Sequence, residues 1–282
     1  MKQLFILILF FSLLKAESSV TNIKLIENNE IKNSNVDNST IKQGIIDINS
    51  STISDSTFTF TNSITDNSKL KNSTIRQGYI ELNGATIQNS LFNLKNTLKN
   101  SKIEDSTVDQ SIVILENNTE ILKSNVLTDN VIDNLTANNG IIVQASINMK
   151  SGSKIDKSEI TITNSIKNTT LTNSSIFQAE LTLNQNSNID SVTITDKNSV
   201  TGTITDRSHL IQGRVILEEG KTLTHNIDIE SIANNITIEN GTTVNMCETA
   251  VSENSTGDIT KTCEDTDGIY SNGSTVTIGA TS

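Results

Sequence analysis

Catalysis needs acids, bases or metal ligands that converge, and this sequence supplies few. His209 and His225 are its only histidines. Their separation along the chain is close to one coil of the repeat described below, which places them near each other on the surface. A zinc site demands at least one further well-placed ligand, so they are read as surface residues and no metal is assigned. Glu264-Asp265-Thr266-Asp267-Gly268 has the Asp-x-Asp-Gly form of a calcium loop. It lacks the third acidic position and the terminal bidentate Glu of an EF-hand and reads as a solvated acidic turn. Serine is so abundant that choosing a Ser-His-Asp triad would be arbitrary. A carbohydrate-active site needs paired carboxylates and aromatic rings on which a sugar stacks. The chain has no Trp, the two tyrosines Tyr79 and Tyr270, and seven Phe, of which Phe5, Phe10 and Phe11 fall in its first residues. No catalytic residue and no cofactor is assigned, and the expectation is a protein that is not an enzyme.

The remaining reactive pair is Cys247 and Cys263. In an exported protein such a pair is expected to form a disulfide closing a short loop, worth about 3 kcal/mol by loop entropy. Export is expected from residues 4 to 14, an apolar run behind Lys2 followed by small residues at Ala16 and Ser18. The run is too short to span a bilayer and reads as a signal peptide, residues 1 to 18, with the mature chain starting near Ser19. No second apolar stretch approaches spanning length. The formal charge of −11 repels phosphate backbones, so nucleic acid is an unfavourable partner. Eleven Asn-x-Ser/Thr sequons, Asn38, Asn72, Asn134, Asn173 and Asn235 among them, are no more than this composition generates.

What must position any site is a repeat. Gln43, Gln77, Gln110, Gln144, Gln178 and Gln212 recur at spacings of 34, 33, 34, 34 and 34 residues. Around the first two, Asn-Ser-Thr-Ile-Lys-Gln-Gly-Ile-Ile-Asp-Ile-Asn becomes Asn-Ser-Thr-Ile-Arg-Gln-Gly-Tyr-Ile-Glu-Leu-Asn. A fixed period in this range marks units that bury their apolar faces by stacking on one another. Small or polar residues precede an aliphatic or Phe by two positions: Ser51/Ile53, Ser56/Phe58, Asn62/Ile64, Ser68/Leu70, Ser73/Ile75 and Gly78/Ile80. Alternate residues share one side of a strand, so both members of each pair point inward. Anchors five to seven residues apart fit short strands separated by corners, where Asn, Asp and Gly take left-handed conformations. The complete absence of proline suits uninterrupted ladders.

Each unit also divides in two, because a shift of 17 carries Ile53 to Leu70, Phe58 to Ile75 and Phe60 to Gln77. The expectation is an all-β, single-stranded parallel β-solenoid (β-helix) with three-faced coils of about 17 residues, two per 34-residue repeat. It occupies residues 19 to 246, with repeats clear from 27, and residues 247 to 282 form a disulfide-containing cap. A coil spanning the whole repeat stays open. It would stack the glutamines about 4.8 Å apart, able to bond side chain to side chain, whereas half-repeat coils would send each Gln to backbone partners. Over residues 27 to 246 the pattern resembles the pentapeptide- and hexapeptide-repeat β-helices, and in keeping one Gln per repeat it resembles curli-type functional amyloids. The resemblance implies the fold class and no site residues, since the faces are neither uniformly five nor uniformly six and the paired Gln and Asn of the curli repeat are missing.

The functional expectation is a secreted structural protein of a coat, wall, matrix or filament, partnered by itself or by other extracellular surface components. The alternative is an adhesin for glycan or protein. Ice binding would need a flat outward Thr array. Thr59, Thr161 and Thr193 begin one, but with half-repeat coils Lys42, Arg76 and Asp109 interrupt it.

Overall fold

The protein is described by a computed structural model over residues 19–150, 152–183, 188–217, 223–234, 236–251, 255–266, 269–270 and 274–278. The expected signal peptide, Asn235 and the Asp267-Gly268 end of the acidic turn lie outside these residues. Among the described residues every regular element is a strand, and the strands pair in parallel. None forms a helix long and apolar enough to cross a membrane.

One level of the stack shows how the sequence makes a coil. Thr52–Ser54 is a short strand, followed by a corner at Asp55 and the broad strand Thr57–Thr65. A second corner leads to the short strand Lys69–Lys71, and a third to the return strand Thr74–Asn83, which bends at Gly78. Thr86–Gln88 then lands on Thr52–Ser54 and begins the next level. Three sheets result, with 6, 14 and 10 strands. The largest holds the broad strands together with the second short strands, and the 10-stranded sheet holds the return strands.

The register corrects the expected coil size. Gln43 pairs with Gln77 and Gln77 with Gln110, so one turn consumes the whole sequence repeat and not half of it. The superposition at a shift of 17 is real but is a rotation within a coil. Ile53 and Leu70 sit on the two short strands at opposite ends of one level, each flanked by two legs of the same alternating pattern. The coil is therefore two small triangles joined at a waist. A rise of about 4.8 Å per level gives a stack on the order of 35 Å long, where half-repeat coils would give nearly twice that.

Two apolar clusters fill the triangles. One contains Ile46, Ile48, Ile53, Phe58 and Phe60 with their equivalents on later levels, and the other Ile41, Ile64, Leu70 and Ile75 with theirs. Phe58 stacks on Phe92 with ring centroids 5.1 Å apart, so a column continues from level to level through like side chains.

The segment beyond 246, expected to cap the end, continues the helix. Ser255–Thr266 pairs with the strand Leu223–Asn234, Ile269–Tyr270 lies on Thr237–Ile238, and Thr275–Ile278 on Thr243–Met246. At the other end the first described strand, Ser19–Thr21, pairs with Thr52–Ser54.

Candidate functional site

The recurring small residues are corner devices. At Ser56 the hydroxyl donates to the carbonyl of Ser54 at 2.8 Å, while the amide of Ser56 donates to Ser90 Oγ on the next level at 3.2 Å. Ser90 in turn donates its amide to Ser124 Oγ and Ser124 to Ser158 Oγ. Each buried corner thus satisfies backbone groups that would otherwise cost the full desolvation of a polar atom. The residue before the serine takes a positive φ, as in Asn38 (48°), Asn72 (48°) and Asn173 (46°), a conformation that Asn tolerates better than most residues. Asn-Ser-Thr is therefore the grammar of a corner: Asn turns, Ser points in, and Thr opens the next strand. Sequon residues Asn38, Asn72 and Asn173 are exposed corner residues of this kind, and Asn134, also exposed with a positive φ (53°), precedes Leu135 within the strand Asn125–Asn138.

The waist between the apolar clusters is polar. On the first six broad strands an inward Asn stands between them, and Asn29, Asn62, Asn96, Asn130, Asn164 and Asn198 form a ladder. Each amide nitrogen donates to the next amide oxygen at 2.8 to 2.9 Å. Across from it run the repeat-marking glutamines. Gln77 donates to Gln43 at 2.8 Å, Gln110 to Gln77 at 3.1 Å, Gln178 to Gln144 at 2.8 Å and Gln212 to Gln178 at 2.7 Å. The glutamine ladder is broken once. Gln110 Oε1 and Gln144 Nε2 are both buried without a partner. At that level the return strand divides into Ile141–Val143 and Ser146–Met149, and the carbonyl of Gln144 accepts from Asn130 Nδ2.

The expected disulfide is present, joining Cys247 to Cys263 with Cα atoms 6.3 Å apart. Its place differs from the expectation. Cys263 pairs with Ser231 in the column of the ladder asparagines, and Cys247 takes the left-handed conformation (φ 54°) that follows every Gln position except Gln144, the Gln position being occupied here by Met246. The bond ties the waist of the last coil covalently where earlier coils use amides.

One buried charge interrupts the cores. Asp196 is 2% exposed, stacked between Ile162 and Ile229, and accepts a hydrogen bond from Asn198 Nδ2 at 2.9 Å. Burial holds its carboxyl well above the ordinary value, and the Asn198 bond only partly opposes that.

The outer faces differ. Lys42, Arg76 and Asp109 stand on the return face, while Thr59, Thr161 and Thr193 stand on the broad face, so the former do not interrupt the latter. The Thr59 column is broken instead by its own members Asn93 and Leu127. On the return face Arg76 lies 4.9 Å from the Tyr79 ring and 3.5 Å from Asp109, whose carboxyl burial raises although Arg76 pulls it down. Partly exposed Ile45, Ile112, Phe177 and Ile211 and the exposed Ile141 make this the more apolar exterior. His209 is on a return strand and His225 on a broad strand, so half a coil of separation places them on different sheets and not side by side. Among the described residues no three His, Cys, Asp or Glu side chains gather in a manner able to hold a metal.

The chain matches no protein-family model and no curated protein.

Proposed function

We propose that the protein is a structural rod of an extracellular coat, wall, matrix or filament, acting through its shape and through association with itself. The observation that carries this reading is the continuous parallel stack from Ser19 to Ile278, whose first and last strands each keep one edge unpaired among the described residues. Unpaired edges are templates for another chain. The side chains that carry order, the Asn and Gln ladders and the corner serines, are spent on internal hydrogen bonds. The test is electron microscopy of the purified protein at rising concentration, joined to fractionation of the producing cells. Rods that lengthen or assemble, from material recovered outside the cell, are expected; compact single particles confined to the cytosol would overturn the proposal.

A second reading, adhesion to a glycan or protein, is favoured by the return face with its Arg76–Tyr79 stack and partly exposed Ile45, Ile112, Phe177 and Ile211. Binding of the purified protein to host or matrix surfaces, lost in Tyr79→Ser with the fold intact, would support it.

A further inference from the structure

Down the middle of the broad face runs a column of outward side chains. From the second broad strand to the last it reads Thr61, Lys95, Asp129, Thr163, Lys197, Glu230 and Thr262. All are exposed except Glu230, which is half-buried and pairs with Lys197 at 3.3 Å. Thr-Lys-acid thus comes twice and a Thr closes the series. Inverting the column about Thr163 sets Lys95 against Glu230, Asp129 against Lys197 and Thr61 against Thr262. A column with this property is complementary to its own inverted copy.

From this pattern we propose that two copies of the chain pair side by side and antiparallel through their broad faces, about a two-fold axis that passes Thr163 and runs along the strands. Lys95 of each copy then lies on Glu230 of the other, and Asp129 on Lys197. The inference rests on the self-association of the rod reading above and adds a surface and a register to it. Lys95 keeps Asp129, and Lys197 keeps Glu230, as its neighbour within the chain, and each charge gains an opposite one across the interface, so no group need be unmatched beforehand. Sliding one copy by one level sets Lys95 on Lys197 in one direction and Asp129 on Glu230 in the other. An axis along the stack sets every charge on its own kind. In the proposed register the flanking columns bring Thr59 to Thr260 and Asn93 to Asp228. Glu159 and Lys167 each meet their own copy, but at the two ends of one strand and exposed, where a like pair is weak and screened by salt. Half-buried Leu127 and Val131 beside Asp129, and Ile232 beside Glu230, are covered by the pairing. The facing area is about 30 Å by about 34 Å, roughly 1,000 Å² on each chain, where a stable interface takes about 800 Å².

Charge reversal read by sedimentation equilibrium tests this. Lys95→Glu and Glu230→Lys each put like charges at two places in their own pair, so each alone is expected to pair about tenfold more weakly than wild type. Mixed in equal amounts, the two variants are expected to regain wild-type affinity as a mixed pair, in which every contact is again between opposite charges. The chain carrying both changes is expected to pair by itself. Regain on mixing cannot come from chains that failed to fold. In Thr163→Cys, a short bifunctional maleimide is expected to join the two copies at the axis, whereas Thr59→Cys, about 29 Å from its own copy, is not joined. Wild-type association that neither single variant weakens, that the mixture does not restore, or that leaves Thr163→Cys unjoined would overturn the antiparallel pairing and leave the rod reading standing. Wild type that stays single at every concentration would overturn both.

Discussion

Replacing Asp196 by Asn keeps the shape of the side chain and removes its ionisation. The carboxyl is enclosed between Ile162 and Ile229, and its Oδ1 accepts from Asn198 Nδ2, a bond that an amide oxygen at the same place can also accept. Because burial raises the folded-state value above the ordinary 3.8, the folded chain holds this proton to higher pH than the unfolded chain does. Stability contributed by the protonated form is present at low pH and is lost as pH rises from 3.8 through the raised folded value, so wild type bears the whole cost above that window. A buried polar group left poorly compensated costs about 1–3 kcal/mol. For a chain of this size that corresponds to roughly 4–8 °C in Tm, taking about 2 kcal/mol. Thermal unfolding followed by far-ultraviolet circular dichroism should find Asp196→Asn more stable near neutral pH, with the gap closing as pH falls towards about 4. Other carboxylates titrate in both proteins, so the difference between them is the quantity to read. An Asn variant no more stable at neutral pH, or a gap independent of pH, would refute the argument.

Removing residues 78 to 110 joins Gln77 to Ser111, which occupies the place of Gly78, and should leave a shorter folded stack. Removing residues 62 to 78, half a coil, withdraws Asn62, Ile64, Leu70, Ile75 and Gln77 from one level and should abolish cooperative unfolding; similar melts for both deletions would count against the coil. Replacing Cys247 and Cys263 by Ser opens a loop with a sequence separation of 16 and should cost about 3 kcal/mol, seen first as faster amide exchange in Leu223–Asn234 and Ser255–Thr266. Uniform exchange across the stack would show that the bond does not hold the last coil. In Gly213→Ala the new methyl would lie 2.7 Å from Ile229 Cγ2 at a φ of +65°, so a loss of about 1–3 kcal/mol in chemical denaturation is expected, and an unchanged midpoint would contradict the packing.

The solenoid, its inward pairs and its corners are readable from the sequence because alternation and small corner residues are local signals. Coil size is not, because both lobes of the coil share one spacing, and a rotation within a level leaves the same sequence trace as a translation between levels. A second signal is present. Asn recurs at 29, 62, 96, 130, 164 and 198 in step with the glutamines, and two columns at the full period argue for stacking at that period. In so Asn-rich a chain the column does not stand out, and Asn62 resembles the corner residues in type although it lies within a strand. The continuation past 246 is hidden for another reason. The pairing step there shortens, as in Leu223 opposite Ser255, and Lys261 stands where earlier levels carry mostly apolar residues. Asp196 likewise gives no sign of burial until the register places it in a core column.

The gap between Gln110 and Gln144 has a mechanical consequence. Under tension along the axis the interfaces between levels bear load in series, while the hydrogen bonds within one interface share it. Of the interfaces between glutamine-bearing levels, the one that lacks its rung has fewer bonds to share the force and is expected to part before the others. Parting frees a coil of chain, roughly 110 Å of contour at full extension, in place of a rise of about 4.8 Å. A rod built this way yields by paying out length at one defined place and keeps its ends connected, as an extensible tether does.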